Sequence, residues 1–114
     1  MHEMSITEDI LRIVSEHAAG ADATNVTEIQ IVIGELASFI DDSIQFYFDI
    51  LSPGTVAEGA VLNFRRIKTR FRCRQCEKEF MPENKNWICP YCSALGGDVI
   101  AGKEFYIESI TVSD

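Results

Sequence analysis

Four cysteines carry the clearest chemistry in this chain: Cys73-Arg74-Gln75-Cys76 and Cys89-Pro90-Tyr91-Cys92, a C-x2-C-x12-C-x2-C arrangement close to that of zinc ribbons. A two-residue gap lets both sulfurs of a tight turn face one ion at about 2.3 Å. Two such turns complete a tetrahedron, which suits Zn2+, a d10 ion with no geometric demand of its own. Four cysteine ligands leave no open position for water or substrate, so the predicted zinc is structural and not a hydrolytic centre. A thioredoxin-like redox pair is the poorer reading, because two CxxC units are present and neither opens a helix after a buried strand. A four-thiolate iron–sulfur site is also compatible with the spacing. Trp87 and Tyr91 flank the second turn and are expected to shield the sulfurs, since about thirty residues cannot bury a core of their own. Folding of such a module depends on its metal.

The second chemical feature is Met1-His2-Glu3. A histidine beside a free terminal amine can chelate an ion through the amine, the intervening backbone nitrogens and the imidazole. These donors are nearly coplanar, which favours square-planar Ni2+ or Cu2+ over tetrahedral Zn2+. A bulky residue at position 2 is expected to leave Met1 in place as the source of the amine, with Glu3 adding a carboxylate or holding the imidazole ring. The competing reading is a solvated terminal histidine. His17, the other histidine, falls in the last turn of a predicted helix, where an imidazolium benefits from the helix dipole, and is assigned a structural role.

A length of 114 residues bounds the chain to one main core with at most a small second module. At 46% apolar and 25% charged, with 7 Gly and 3 Pro, it belongs with folded globular sequences and outside the disordered and low-complexity classes. No secretory leader and no membrane span is expected from its apolar runs, so a cytoplasmic location is expected, where paired cysteines serve as metal ligands or redox thiols and not as disulfides. The net charge of −8 is unevenly laid out: residues 1–64 carry −10, residues 65–85 carry +5 and residues 86–114 carry −3. An acidic body thus holds a basic segment centred on the first CxxC, a layout expected of a partner surface. In the plainer account, Arg70, Arg72, Arg74 and Lys78 offset the charge of about −2 that four thiolates and one Zn2+ would carry.

The elements that must position these groups are legible from periodicity. Ile6, Ile10, Ile13, Val14 and Ala18 form a helical stripe, with Ser5 and Glu8 in capping-box register, so a helix is predicted from near Ser5 to Gly20. Thr24 to Ile33 alternates as a strand. Asp42 with Gln45 repeats the capping pattern before Ile44, Tyr47, Phe48 and Leu51, a second helix ended by Ser52-Pro53-Gly54. Val61 to Arg72 reads as a strand whose faces change character midway, which calls for a bulge near Arg65-Arg66 or a strand that leaves one sheet for another module. Glu104 to Val112 is the last strand, its imperfect alternation suggesting another bulge or a two-sided environment. The predicted fold is α+β: two helices packed on a three-stranded sheet, with an inserted zinc-ribbon-like four-cysteine module. The expected domains are residues 1–70 plus 101–114 and residues 71–100.

Met1-His2-Glu3 before an amphipathic helix, then Ile33-Gly34-Glu35-Leu36, Val56-Ala57-Glu58-Gly59, CxxC with CPxC and a closing β segment, resembles the HypA/HybF family of hydrogenase nickel incorporation proteins over essentially the whole chain. The resemblance implies a nickel metallochaperone, with Ni2+ as cargo delivered to the large subunit of [NiFe]-hydrogenase. It implies a HypB-type GTPase as partner and, for some members, service to urease maturation. Carried over, His2 would be the essential nickel ligand, assisted by the Met1 amine and Glu3, while Cys73, Cys76, Cys89 and Cys92 would hold structural zinc. Some members add an acid after the Gly-Glu motif; here Asp41 is the nearest, and it competes for a role as helix cap. No His lies in residues 73–114 to supply a further ligand.

The main alternative is a zinc-ribbon nucleic-acid or protein interaction module using Arg66, Lys68, Arg70, Arg72 and Arg74 with Phe71 beside them. The acidic body opposes nucleic-acid binding, and no aromatic pair interleaves with the basic row. No enzyme is expected, because the chain has no Ser/His/Asp set and no phosphate-cradling glycine loop. A monomer or weak homodimer is expected.

Overall fold

The computed structural model describes residues 2–37, 39, 41–82 and 87–113, with His2 described by its backbone alone. In chain order the elements are α1 (His2–Gly20), β1 (Asn25–Gly34), α2 (Asp41–Leu51), β2 (Val61–Ile67), β3 (Arg70–Arg72), β4 (Glu79–Phe80), β5 (Asp98–Ala101) and β6 (Phe105–Ser113). The fold is α+β, with one three-stranded sheet in the order β2-β1-β6 and a second in the order β4-β3-β5. Among the described residues, no helix is long and apolar enough to cross a membrane.

The chain divides into two compact units: residues 1–32, 38–65 and 106–114, and residues 33–37 with 66–105. In the first unit α1 packs against α2. Ile10, Leu11, Val14 and Ala18 of α1, Val26, Ile29 and Ile31 of β1, and Ile44 and Phe48 of α2 form its buried apolar set. The helix starts three residues earlier than the capping signal suggested, so Ser5 lies inside α1 and caps nothing. The buried stripe is also turned by one residue: Thr7 and Leu11 are inside, while Ile6 and Ile13 are half-exposed. At its other end α1 closes in a Schellman arrangement, with Ala23 N–H donating to the Ala18 carbonyl, Asp22 N–H to that of Ala19, and Asp22 itself in the left-handed region at φ 54°. In α2 the Gln45 amide reaches forward to Asp49 at 2.8 Å and not back to Asp42, so the second capping box is likewise absent. Asp41 and Asp42 occupy the first turn, where negative charge suits the helix dipole.

The expected single strand over 61–72 is two strands in two sheets, parted at Lys68-Thr69. This is the departure into another module that the change of face called for, and the two units meet in sequence at Arg65-Arg66. Where β3 pairs with β5 the register shifts between Arg70 and Phe71.

The second unit extends beyond residues 71–100 because the segment after β1 is bonded into it. Gly34 N–H donates to the Glu104 carbonyl, Glu35 N–H to that of Ile67 and Leu36 N–H to that of Gly102, at 2.7, 2.9 and 2.7 Å. The Glu35 carboxylate accepts the Thr69 N–H at 2.6 Å. These bonds require backbones at close quarters. A Cβ on Gly34 would stand 2.0 Å from the Gly102 carbonyl oxygen, and Gly102 itself holds φ at +116°. Gly34→Ala is therefore expected to lower stability by roughly 1–3 kcal/mol or more, because rigid backbone must move. Gly20→Ala, with nothing within 4 Å of the added methyl, is the control and should be neutral or slightly stabilising in a helix. Denaturant midpoints of the two variants check this, and equal midpoints would contradict it.

Candidate metal centre

The four cysteines are free thiols, and their Sγ atoms all lie within 4.8 Å of one another. Two local turns of matching design bring them there. In the first, Glu77 N–H donates to the Cys73 carbonyl and Cys73 N–H to that of Lys78; in the second, Ser93 N–H donates to the Cys89 carbonyl and Cys89 N–H to that of Ala94. The residue after each second cysteine, Glu77 or Ser93, takes the left-handed conformation at φ 63° or 66°. Backbone N–H groups point inward at sulfur, from Gln75 to Cys73 Sγ and from Tyr91 to Cys89 Sγ, each at 3.4 Å.

The sulfurs face each other across the turns, Cys73 to Cys92 at 3.4 Å and Cys76 to Cys89 at 3.7 Å. A tetrahedron with metal–sulfur bonds of 2.3 Å has sulfur edges of about 3.8 Å, so this donor set fits a metal such as zinc. The thiols are not alike. Cys73 is lowered to about 6, chiefly by the Cys76 backbone N–H, which works against desolvation and is helped by Gln75 N–H and the Cys92 and Cys89 thiols. At Cys92 the Ala94 backbone N–H favours the thiolate, but the bond with Cys73, desolvation and the Cys89 and Cys76 thiols prevail and push it up to about 12. The Cys73–Cys92 pair can share a proton, with either sulfur as donor.

Residues other than Trp87 and Tyr91 are buried with the sulfurs. Phe71 and Phe80 are buried with Cys73 and Cys89, and Ala94 and Val99 pack against them. Phe71 and Phe80 meet edge to face at 5.7 Å. Trp87 stacks on Phe71 at 4.9 Å, while Tyr91 is 60% exposed and lies under the Lys78 ammonium. Phe71 was visible as the residue opposite the basic row; Phe80, outside any periodic run, carried no such signal.

The basic row is largely engaged within the chain. Arg70 and Arg72 both pair with Glu79, and Arg74 pairs with Asp98 at 3.1 Å. In the first unit Arg65 bonds Glu108 at 2.7 Å, and that bond raises the guanidinium further above its ordinary range. These exposed pairs add little stability, but they answer charges that a phosphate-tracking face would need. At the other predicted site, Met1 lies outside the described residues, as does the His2 side chain. Glu3 stands in the first turn of α1 and His17 in its last.

Comparison with known proteins bears on the whole chain. The family model described as hydrogenase/urease nickel incorporation, metallochaperone, HypA matches residues 1–112. The hydrogenase maturation factor HypA of Dehalococcoides mccartyi (strain CBDB1) is 48% identical over 114 residues, covering 100% of this chain and 96% of that protein. The factor of the same name from Caldanaerobacter subterraneus subsp. tengcongensis is 43% identical over 113 residues, covering 98% and 99%. Among solved structures, a HypA protein in solution is similar at a TM-score of 0.76 and 22% identity, covering 99% of this chain and 97% of that one. The nickel metallochaperone HypA of Helicobacter pylori is similar at 0.67 and 20%, covering 96% of each. At those identities the likeness is one of fold, and it is the family match and the close relatives that decide membership: the chain belongs to the HypA family of hydrogenase/urease nickel-incorporation metallochaperones.

Proposed function

We propose that this protein binds Ni2+ at its N-terminus and passes it on for the maturation of [NiFe]-hydrogenase, while Cys73, Cys76, Cys89 and Cys92 hold a structural Zn2+. The observation that carries the reading is the match to a nickel-incorporation family from the first residue onward, on a chain that opens Met1-His2-Glu3. In this reading the Met1 amine, the His2 backbone nitrogen and imidazole, and Glu3 form the nickel site. Residues 1–70 plus 101–114 serve nickel, and residues 71–100, inside the wider second unit, serve zinc. A HypB-type GTPase and the hydrogenase large subunit are the partners, with urease maturation proteins a further destination. Bound zinc would supply positive charge and a rigid centre to the four sulfurs and no reactive position.

The zinc assignment has a proton signature. Thiols must lose protons to bind a metal, and where the cluster is formed before zinc arrives, Cys73, lowered to about 6 chiefly by the Cys76 backbone N–H, is expected to be the first to give its proton up. Zinc binding to the metal-free chain at pH 7 is therefore expected to release fewer than four protons, the count rising as pH falls below about 6. Calorimetry in buffers of different ionisation heat measures it, and four full protons at pH 7 would contradict a cluster formed ahead of the metal.

The nickel assignment is tested by titrating the untagged, zinc-loaded chain with Ni2+ beside His2→Ala and a form extended by one residue before Met1. One equivalent bound by wild type and lost in both variants is the expected result. Equal binding in all three would sink the terminal chelate.

A further inference from the structure

Helix α2 is apolar on both sides. Ile44 and Phe48 are buried in the first unit, and the opposite side of such a surface helix is ordinarily polar. Here Phe46 and Ile50, four residues apart and so neighbours on one helical face, are 60% and 57% exposed. Asp42, one turn before Phe46, and Asp49, three residues after it, are exposed as well. Both the ring and the second carboxylate are held in place. Phe46 meets Tyr47 edge to face with ring centroids 5.4 Å apart, and Asp49 accepts from the Gln45 amide at 2.8 Å. An aromatic side chain that is already ordered loses little freedom when a partner covers it.

The charge of the unit excludes most coverings. Residues 1–32, 38–65 and 106–114 hold twelve Asp or Glu against two Lys or Arg. Arg12 is engaged by Asp9 and Glu16 and Arg65 by Glu108, so both cations are committed away from Asp42 and Asp49. A second copy meeting this face with its own sets carboxylates against carboxylates. The basic row that another copy could offer instead is taken up within its own unit, Arg70 and Arg72 by Glu79 and Arg74 by Asp98. Anionic lipid and nucleic acid are repelled by the same carboxylates. Two apolar anchors at helical spacing, rimmed by negative charge, are complemented by an apolar groove with Lys or Arg along its rim.

We propose that the outer face of α2 docks a partner protein, with Phe46 and Ile50 as anchors in an apolar groove of that partner and Asp42 and Asp49 facing Lys or Arg on its rim. The inference rests on the proposed function for its probe, the HypB-type GTPase.

The test measures binding of the purified GTPase to the zinc-loaded full chain at low and at high salt. Phe46→Ala is expected to weaken binding about tenfold or more, through faster dissociation. The double variant Asp42→Asn with Asp49→Asn should associate more slowly at low salt and show a flatter salt dependence. Val61→Ala, at a residue of β2 that is 55% exposed, is the control and should bind as wild type does. All of these side chains are exposed, so melting temperatures should stay within a few degrees of one another. Should Phe46→Ala not fold, Ile50→Ala removes the other anchor with a smaller change. Wild-type binding by both Phe46→Ala and Ile50→Ala would overturn the docking face and leave the GTPase as partner. An equal loss in Val61→Ala would overturn it too, since exposed apolar surface in general and not this face would then be responsible. A wild-type chain that does not bind the GTPase at all would instead sink the partner reading, and the docking face with it.

Discussion

Four sulfur atoms within 4.8 Å of one another set the terms for the second unit. Thiolates at such distances repel by several kcal/mol per pair at the effective dielectric of a protein surface, so the cluster needs positive charge at its centre or protons on its sulfurs. The chain answers locally. Backbone N–H groups of Gln75 and Tyr91 point at sulfur, and Glu77 and Ser93 accept left-handed geometry so that each turn can close. Around this lies a small apolar set, Phe71, Cys73, Phe80 and Cys89, far less than a free-standing domain of this size needs. The bond energy of a metal is the natural supplement.

The first unit is stabilised in the ordinary way. Ile10, Val14, Ile29, Ile31, Ile44 and Phe48 are fully or almost fully buried, and each such side chain contributes about 1.5–3 kcal/mol relative to exposure. That core holds α1 through Ile10, Leu11, Val14 and Ala18, and the buried Thr7 hydroxyl bonds back to the Glu3 carbonyl. The N-terminal residues therefore stand on a rigid base while their own nitrogens have no helical acceptor.

The cysteine turns were legible because their chemistry is local: two residues between sulfurs determine what the turn can do. The helices and the order of strands were legible from periodicity over ten or more residues. What was not legible depended on partners far away in sequence. Glu35 bonds Thr69, and Gly34 must be glycine because the Gly102 carbonyl lies against it; nothing near either residue announces this. Ser5 with Glu8 mimicked a cap because the signal is only four residues long. The stripe of α1 was read one residue out because Thr7, a polar residue, takes an inside position that a count of apolar residues gives to Ile6. Tyr91 fell to a similar error: proximity in sequence to two sulfurs placed it over them, while the side chain points to solvent beneath Lys78.

Holding one metal and handing over another demand opposite kinetics, and the proposed reading assigns them to opposite kinds of site. Four sulfurs from two closed turns, with Cys73 and Cys89 buried and Cys92 exposed, would leave a bound zinc no open position, so exchange there must displace a thiolate that its turn holds in place. A chelate on the first turn of a helix has no such shell. Its donors are nitrogens on one short run of chain, and an acceptor can displace them one at a time without disturbing the core beneath. Selectivity need not suffer, because the coplanar nitrogen set favours a square-planar ion over a tetrahedral one, while the sulfur cluster offers zinc its own geometry elsewhere. The separation of hard-held from hand-over metal thus follows from which donors are anchored at both ends by packed structure and which at one.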